Sequence, residues 1–422
     1  MIRFSLTNNK LAIFLAVLSI VFNMNTLPMA LYFSNAQYAV ITLIIYTLVG
    51  FWGCMWERKY QIDKIDKIDK RILTLFVFVS CMVALTAFIN GDSSILYGVL
   101  ILELYKAVVI SMLLDYKQFV YIYIKTMYVL AFVSIILHFS IMVVPAIQEL
   151  GMVAYNENNI PFYSFGVYYK SLNEGFRNYG FLTEPGDYQH YLNTALLLYF
   201  FSDGEIKDRL SEKIPIVLTL AAVSTFSPAG LVYLVCVWFA YAFNTHRVEK
   251  ISWKLKTAIL FAIVVVCLSP TLRDILYRYT LAKLNGTSTN SRSIRLDGIL
   301  VGLKYFMDKP LFGNGCTNAI ANMSRDLTTK YGGADQTSTI TGFLAMFGIF
   351  TTIPLVYYFF KCLMMKYAIK PSIVSMLFIF AGLMMTVNNE RFIWEHPYYI
   401  FVVYGVSASR KKNNDKQISR AQ

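Results

Sequence analysis

The sequence predicts an all-α integral membrane protein that forms a single polytopic membrane domain over residues 1–422. Hydrophobic residues make up 57% of the chain, charged residues only 15%, and long apolar stretches recur along its whole length. A soluble protein of this size carries about a quarter charged residues. A transmembrane helix needs about 20 apolar residues, whereas the strands of a membrane β-barrel alternate over about ten, so helices are expected here.

The apolar stretches predict about twelve transmembrane helices. Their expected positions are 11–33, 37–56, 72–89, 95–114, 118–144, 188–202, 214–225, 228–244, 257–270, 338–360, 372–387 and 397–408. The first stretch is too long for the apolar part of a cleavable signal peptide, so we expect a retained helix. The seventh and eighth stretches are separated by Ser227-Pro228-Ala229-Gly230, and they form either one long bent helix or a re-entrant pair.

Basic residues in the connections predict the orientation, because Lys and Arg are enriched in cytoplasmic loops. With the N-terminus inside, clusters of Lys and Arg fall in the connections on the cytoplasmic side, and the short loops opposite hold essentially only Arg391. An even number of helices then places both termini in the cytoplasm, including a tail at 409–422. The net charge of +13 is therefore a consequence of topology and does not indicate binding to nucleic acid.

Two long polar segments on the outer side, at 145–187 and 271–337, are the most informative part of the chain. Each holds arginines and carboxylates among aromatic residues and glycines. A protein that only threads a bilayer does not need such segments. They predict two outer loops with short helices that form the two halves of an active site on a membrane enzyme.

The first loop carries Arg177 and Glu184 shortly before a helix entrance at Pro185-Gly186. Arginine offers two parallel donors to phosphate oxygens. A glutamate at a water–membrane boundary is suited to act as a general base, because burial raises its pKa. An ion pair between the two side chains that only fixes the loop is an equally good interpretation.

Aromatic residues crowd the same loop, and Tyr169 and Tyr179 are interpreted as a stacking platform for a glycan. His190, in the helix that follows, is assigned to the same glycan-binding set. The alternative is an aromatic belt at the membrane interface, where Tyr is enriched.

The second loop contains Arg292 and Arg295, which are three residues apart and share one face of a helix. Two guanidinium groups on one face suit a diphosphate. The glycines at 313–315 allow a tight turn and close backbone approach. The loop ends with Asp335, which is expected just outside the bilayer at the entrance of the next helix.

Charges also occur within the apolar stretches, at Glu103, Lys106 and Lys125. Intramembrane charges are costly and are functional candidates by default. Glu103 and Lys106 form either a proton path or a mutually neutralising pair. The six cysteines and four histidines show no metal-ligand spacing, so neither a metal site nor a cofactor is predicted.

The order of motifs resembles the Wzy-type O-antigen polymerases, which are related to O-antigen ligases and other bacterial polysaccharide polymerases. The resemblance rests on four elements, which are Arg177-x-x-Gly-x-x-x-Glu-Pro-Gly, Arg295-Leu-Asp, Lys309-Pro-Leu-Phe-Gly-x-Gly and Phe347-Gly-Ile-Phe. It covers residues 170–360 by motif and the whole chain by topology.

This resemblance implies a GT-C-like fold and a metal-independent glycosyltransferase in the bacterial inner membrane, with its active site facing the periplasm. It implies transfer of a growing glycan from undecaprenyl diphosphate to a new lipid-linked repeat unit. The implied partners are the undecaprenyl-diphosphate-linked oligosaccharide, the lipid bilayer and a chain-length regulator protein.

Within that scheme Arg177, Arg292 and Arg295 hold the diphosphate. The related ligases place a histidine near the position of Asp335, and this departure leaves the general base open between Asp335 and Glu184. Two other functions remain as alternatives. An O-antigen ligase differs only in its acceptor, and a non-enzymatic flippase of lipid-linked oligosaccharides is expected to place its charges inside the bundle and to show two related halves.

Overall fold

The computed structural model describes the chain apart from several segments. These are 1–9, 24–25, 60–68, 156–160, 172–175, 246–290, 332–337, 366, 368, 389–395 and 408–422. The helix expected at 257–270, the catalytic candidate Asp335 and the tail at 409–422 lie outside the described residues.

Helices dominate the described residues. The first half contains α1 (Lys10–Val21), α2 (Leu27–Tyr32), α3 (Asn35–Lys59), α4 (Lys70–Asn90), α5 (Ile95–Leu113) and α6 (Tyr116–Val143). A 3-10 turn (Pro145–Leu150) and three strands follow, β1 (Met152–Tyr155), β2 (Pro161–Ser164) and β3 (Tyr169–Ser171). Next come α7 (Pro185–Phe201), α8 (Gly204–Lys207), α9 (Ile214–Ser224) and α10 (Pro228–Thr245). The last helices are α11 (Ser291–Asp308), α12 (Cys316–Tyr331), α13 (Thr339–Met365), α14 (Ile373–Val387) and α15 (His396–Ser407).

Within this part of the chain, α3, α4, α5, α6 and α13 are long and apolar enough to cross a membrane. The outward faces of α3 and α4 carry large apolar side chains, among them Phe51, Trp52 and Phe88. A soluble protein does not expose apolar surface in continuous helical faces of this kind. The prediction of a helical membrane protein is confirmed in these terms, and the count of about twelve spans stays a prediction.

The single helix expected over 11–33 is wrong, because the chain forms α1 and α2 with a break between them. Thr26 leaves the helical conformation and pairs with Leu182 as an isolated β-bridge. Pro28 then stands in the first turn of α2, where its missing N–H group is tolerated. The break therefore ties the start of the chain to the end of the first outer loop.

Of the alternatives for 214–225 and 228–244, the single long bent helix is wrong, because the chain forms two helices, and a re-entrant pair stays a prediction. Phe226 between them has a φ of 49°, a left-handed conformation that ends α9 before Pro228 starts α10. The eleven residues of α9 rise only about 16 Å, roughly half the hydrocarbon thickness. Irregular backbone at such a depth is tolerated where it is buried in protein or lines a cavity.

Two helices occupy the middle of the described bundle. In α7 every residue except Tyr199 is buried, and the helix packs against α6, α9 and α10. In α15 the residues from Tyr398 to Val406 are buried against α5 and α13. A helix that is buried on all sides needs no polar residues for solubility, so the polar residues of α7 require another explanation.

Hydrogen bonds between distant segments sort the helix ends into two groups. At one end the loop after α4 meets the second outer loop, where Asp92 accepts from the backbone and hydroxyl of Thr317. At the other end Tyr404 donates to the carbonyl of Leu114. The grouping matches the alternation of helix directions expected from the basic residues.

The first outer loop differs from the expected short helices, since it contains a three-stranded antiparallel sheet in the order β1-β2-β3. The alternation of residues that distinguishes a strand was hidden there by aromatic residues on both faces. In the second loop, α11 and α12 form a helical pair joined by the ion pairs Lys304–Asp326 and Lys330–Asp297.

The glycines of the second loop make a close backbone crossing with α13. Gly313 has a φ of 68° and lies directly against the backbone of Met346 and Phe347. Gly348 also has a φ of 68°, interrupts the helix and lies against the backbone of Leu311 and Phe312. A Cβ atom on either glycine would overlap the opposite chain, so this motif has a packing role.

Candidate functional site at the outer end of α7

The candidate site is built around the segment that returns from the first outer loop to α7. Asn178 fixes this segment, because its Nδ2 donates to Ser134 of α6 at 3.2 Å and to Ser224 of α9 at 2.9 Å. Its Oδ1 accepts from the backbone N–H of Gly180 at 2.9 Å. Asn178 is fully buried, so these bonds are protected from competition with water. The sequence reasoning missed this residue.

Gly180 completes the turn with a φ of 56°. The ring of Tyr188 from the first turn of α7 occupies the space where a Cβ atom would lie. The spacing of Arg177 and Gly180 in the motif therefore has a structural basis. The glycine turns the chain and packs on α7, and the arginine is held three residues before it.

Arg177 lies at the interrupted end of α9, where its Nε donates to the carbonyl of Thr225 at 3.1 Å. The C-terminal end of a helix carries partial negative charge and favours a cation. The side chain is only partly buried, so it reaches from the protein core towards the outer surface. The anion-binding role assigned to Arg177 stays a prediction.

Glu184 is exposed and stands directly before α7, where its side chain makes no capping hydrogen bond. In the part of the chain that the structure describes, no ion pair joins it to Arg177. The interpretation of the two residues as an ion pair that fixes the loop is therefore not supported, since Asn178 has that role.

A stripe of buried polar side chains continues from this point into α7. Gln189 accepts a hydrogen bond from the hydroxyl of Thr225 at 2.8 Å, and Asn193 donates to the carbonyl of Gly230 at 2.8 Å. His190 stacks on the ring of Tyr233 with 5.9 Å between ring centroids. The stripe therefore faces the interruption between α9 and α10.

Two polar atoms of this stripe lack a hydrogen-bond partner. Among the described residues, none bonds to Nε2 of Gln189 or Oδ1 of Asn193. An unpaired buried polar group costs roughly 1–3 kcal/mol. Two such atoms one turn apart are what a site for water or for a hydroxyl-rich ligand provides.

The two tyrosines assigned to glycan stacking lie in a small hydrophobic cluster with Leu27 and Phe162. Tyr169 is 2% exposed and Tyr179 is 7% exposed. Neither ring offers the open face that stacking on a sugar requires in this arrangement. Their glycan-binding role stays a prediction, and His190 is the member of that set that faces the polar stripe.

The second loop supplies the other arginines. Arg292 and Arg295 both belong to α11, as expected, and the side chain of Arg295 is partly buried. The side chain of Arg292 lies outside the described residues. Asp297 accepts hydrogen bonds from Lys330 and Tyr331 of α12, and these bonds lower its pKa. Asp297 therefore joins two helices.

The intramembrane charges separate into two cases. Glu103 and Lys106 are buried in α5, with 2.6 Å between Oε1 and Nζ, and the hydroxyl of Tyr38 donates to the same carboxylate oxygen at 2.6 Å. This arrangement has the geometry of the mutually neutralising pair, and a proton path through the same groups stays a prediction. Lys125 is exposed on α6, with its amine 5.9 Å from the centre of the Tyr121 ring.

No family model and no curated protein matches the chain. No group of three His, Cys, Asp or Glu side chains that would suit a metal ion occurs among the described residues. The site must therefore be interpreted from its own chemistry, which combines an arginine at the outer surface, an exposed carboxylate and a buried polar stripe.

Proposed function

We propose that the protein is a polysaccharide polymerase that uses a lipid-diphosphate-linked donor. The observation that carries this proposal is the position of Arg177 above the buried polar stripe of α7. An arginine at the outer surface suits the diphosphate, and the amide, hydroxyl and imidazole groups below it suit sugar hydroxyls. The resemblance of the motifs to Wzy-type O-antigen polymerases supports the same assignment.

In the proposed reaction an acceptor hydroxyl attacks the anomeric carbon of the donor sugar. The bond between that carbon and the phosphate oxygen breaks, and undecaprenyl diphosphate leaves. Arg177, Arg292 and Arg295 stabilise the negative charge that develops on the leaving group. The proton of the acceptor hydroxyl passes to a carboxylate, either Asp335 or Glu184. No metal ion takes part in this scheme.

The proposal places the protein in the bacterial inner membrane, with about twelve spans, a GT-C-like fold and the site facing the periplasm. Its substrates are undecaprenyl-diphosphate-linked repeat units of O-antigen or of a related surface polysaccharide. A chain-length regulator protein is the expected protein partner. The basic residues of the connections support the orientation, because they gather on the side opposite the two long loops.

Deletion of the gene tests the proposal directly. Lipopolysaccharide from the deletion strain is separated on a gel. A polymerase mutant yields lipid A core with a single repeat unit, because ligation continues without elongation. Bare core would exclude a polymerase and would indicate a ligase or a flippase. Elongation of a lipid-linked repeat by the purified protein, unaffected by a chelator, then separates enzyme from transporter.

Transport of a lipid-linked oligosaccharide is the second candidate, and one observation favours it. The buried polar stripe of α7 runs beside the interruption between α9 and α10, and a broken helix beside polar side chains is common in transporter binding sites. Translocation of a fluorescent lipid-linked sugar in vesicles, without any elongation, would select this function.

A further inference from the structure

A groove between α4 and α13 shares no residue with the candidate site. It is formed by Arg71, Thr74, Leu75 and Phe78 of α4 together with Ile353, Pro354, Tyr357 and Tyr358 of α13. Its volume is about 500 Å³, which lies within the range of small-molecule sites. Both helices belong to those long and apolar enough to cross the membrane, so the groove opens towards lipid.

A proline of α13 forms part of the wall of the groove. Pro354 stands inside the helix, where it has no N–H group to donate to the preceding turn. Beside it Ile353 and Tyr357 remain more than half exposed, at 57% and 56%. Both side chains therefore stand at the rim of the groove.

The groove is apolar at one end and basic at the other. Leu75, Phe78 and Ile353 form its apolar end. Arg71 lies at the other end, in the first turn of α4, beside Tyr357 and Tyr358. The amine of Lys361 lies 5.7 Å and 5.3 Å from the centres of those two tyrosine rings. Cations and tyrosines therefore mark the membrane–water interface of this groove.

We infer that this groove binds an anionic phospholipid of the leaflet on the side of the basic connections. One acyl chain lies along Leu75, Phe78 and Ile353. The phosphate lies between Arg71 and Lys361, and the guanidinium of Arg71 supplies two parallel donors. The seven-residue step from Arg71 to Phe78 rises about 10 Å, the depth of the upper part of an acyl chain. Anionic lipids are enriched in the cytoplasmic leaflet, which matches the expected side.

Native mass spectrometry of the purified full-length protein tests the inference. The protein is mixed with equal amounts of phosphatidylglycerol and phosphatidylcholine of distinct acyl mass. We expect phosphatidylglycerol to be retained preferentially. Arg71→Gln and Lys361→Gln should each reduce that preference about fivefold, the contribution of one basic side chain at an anionic lipid surface. Lys213→Gln, an exposed lysine at the start of α9, is the matched control and should leave the preference unchanged.

A second pair of variants tests the apolar half of the groove independently of charge. Thr74→Phe fills the groove from its exposed side and should reduce retention of both lipids. Val40→Phe adds similar bulk to the exposed face of α3 and should not. Equal retention of the two lipids by the parent protein would overturn the inference. Full displacement of the lipid by inorganic phosphate would also overturn it. So would a dimer whose interface excludes lipid, because the occupant of the groove would then be a second copy of the chain.

Discussion

At the scale of single residues, the side chain of Asn178 lies between α6 and α9 and bonds to a serine on each. Its neighbour Arg177 therefore has little freedom, and the arginine itself bonds to the carbonyl of Thr225 at the end of α9. A guanidinium held in place loses less conformational entropy when it binds an anion. Asn178 thus fixes the position of the segment, and Arg177 provides the charged group.

Substitution of the arginines tests the diphosphate site. Arg177→Ala should lower elongation by the purified protein roughly ten- to hundredfold, the loss of hydrogen bonds to a charged group. Arg177→Lys should lower it less, because the charge remains and the planar pair of donors is lost. The same order is expected at Arg292 and Arg295. Arg325→Ala is the control, since that exposed arginine bonds to Asn322 within α12. Parental rates in all three alanine variants would refute the site.

The general base is tested by substitution of the two carboxylates. Asp335→Asn should retain donor binding and lose turnover by about 10²–10⁴, the usual contribution of a general base. Glu184→Gln is measured under the same conditions. Glu184 is exposed and makes no described salt bridge, so its substitution should leave stability unchanged and any loss of rate should be chemical. A turnover within a few-fold of the parent excludes the residue concerned.

Gly180 offers a test of the architecture that does not depend on the proposed activity. Gly180→Ala should destabilise the protein by about 2–4 kcal/mol, because the left-handed conformation is strained and the new methyl group overlaps the Tyr188 ring. Gly166→Ala is the matched control, since Gly166 has a φ of 80° with nothing within 4 Å of its Cβ position. Thermal unfolding in detergent should show the larger loss for Gly180→Ala. Equal losses would mean that the Tyr188 ring moves aside and accommodates the new methyl group.

At the scale of elements, the small sheet of the first outer loop buries a lysine. Lys170 in β3 is 3% exposed, and burial lowers the pKa of its amine to about 8. Below pH 8 the folded and unfolded states are both charged, and the folded state bears the net cost of burying the charge that its lowered pKa reflects. From pH 8 to about 10.5 the folded state loses the proton first, so stability rises with pH.

The corresponding measurement compares Lys170→Met with the parent across pH. The variant should be the more stable protein at pH 7, and its advantage should shrink as pH rises from 8 towards 10.5. Lys330→Met is the control, because that amine is exposed and its ion pair with Asp297 raises its pKa instead. A difference between Lys170→Met and parent that stays constant over this range would show that Lys170 is charged in the folded protein.

The elements show what sequence patterns can and cannot specify. Apolar length predicted the spans near α3, α4, α5, α6 and α13, because a helix satisfies its own backbone hydrogen bonds. The break between α1 and α2 depends on a partner 156 positions away, since Thr26 pairs with Leu182. Asn178 likewise acts through Ser134 and Ser224. Such roles depend on non-local contacts, which a single sequence does not contain. Gln189 and Asn193 did offer a signal, as polar residues one turn apart in an apolar helix.

At the scale of the whole molecule, the two groups of helix ends make the orientation testable with three cysteines. In a background without the native cysteines, Val167→Cys and Arg325→Cys lie at exposed positions of the two outer loops, and Lys213→Cys lies at the opposite end. A membrane-impermeant maleimide should label the first two in intact cells and the third only after the inner membrane is opened. The reverse pattern would invert the topology.

The crossing of the two glycine-containing segments has a consequence for how the protein is made. In a continuous helix the N–H of Ile349 would bond to the carbonyl of Ala345. Here Ile349 donates to Pro310 at 3.0 Å, while Asn314 donates to Ala345 at 2.8 Å. Two backbone groups beside the interruption of α13 therefore bond to the turn at residues 310–314. This turn is synthesised before α13. The backbone groups of the turn therefore gain these partners only after α13 has been synthesised. The backbone hydrogen bonds of α13 are complete only when the two segments pack together.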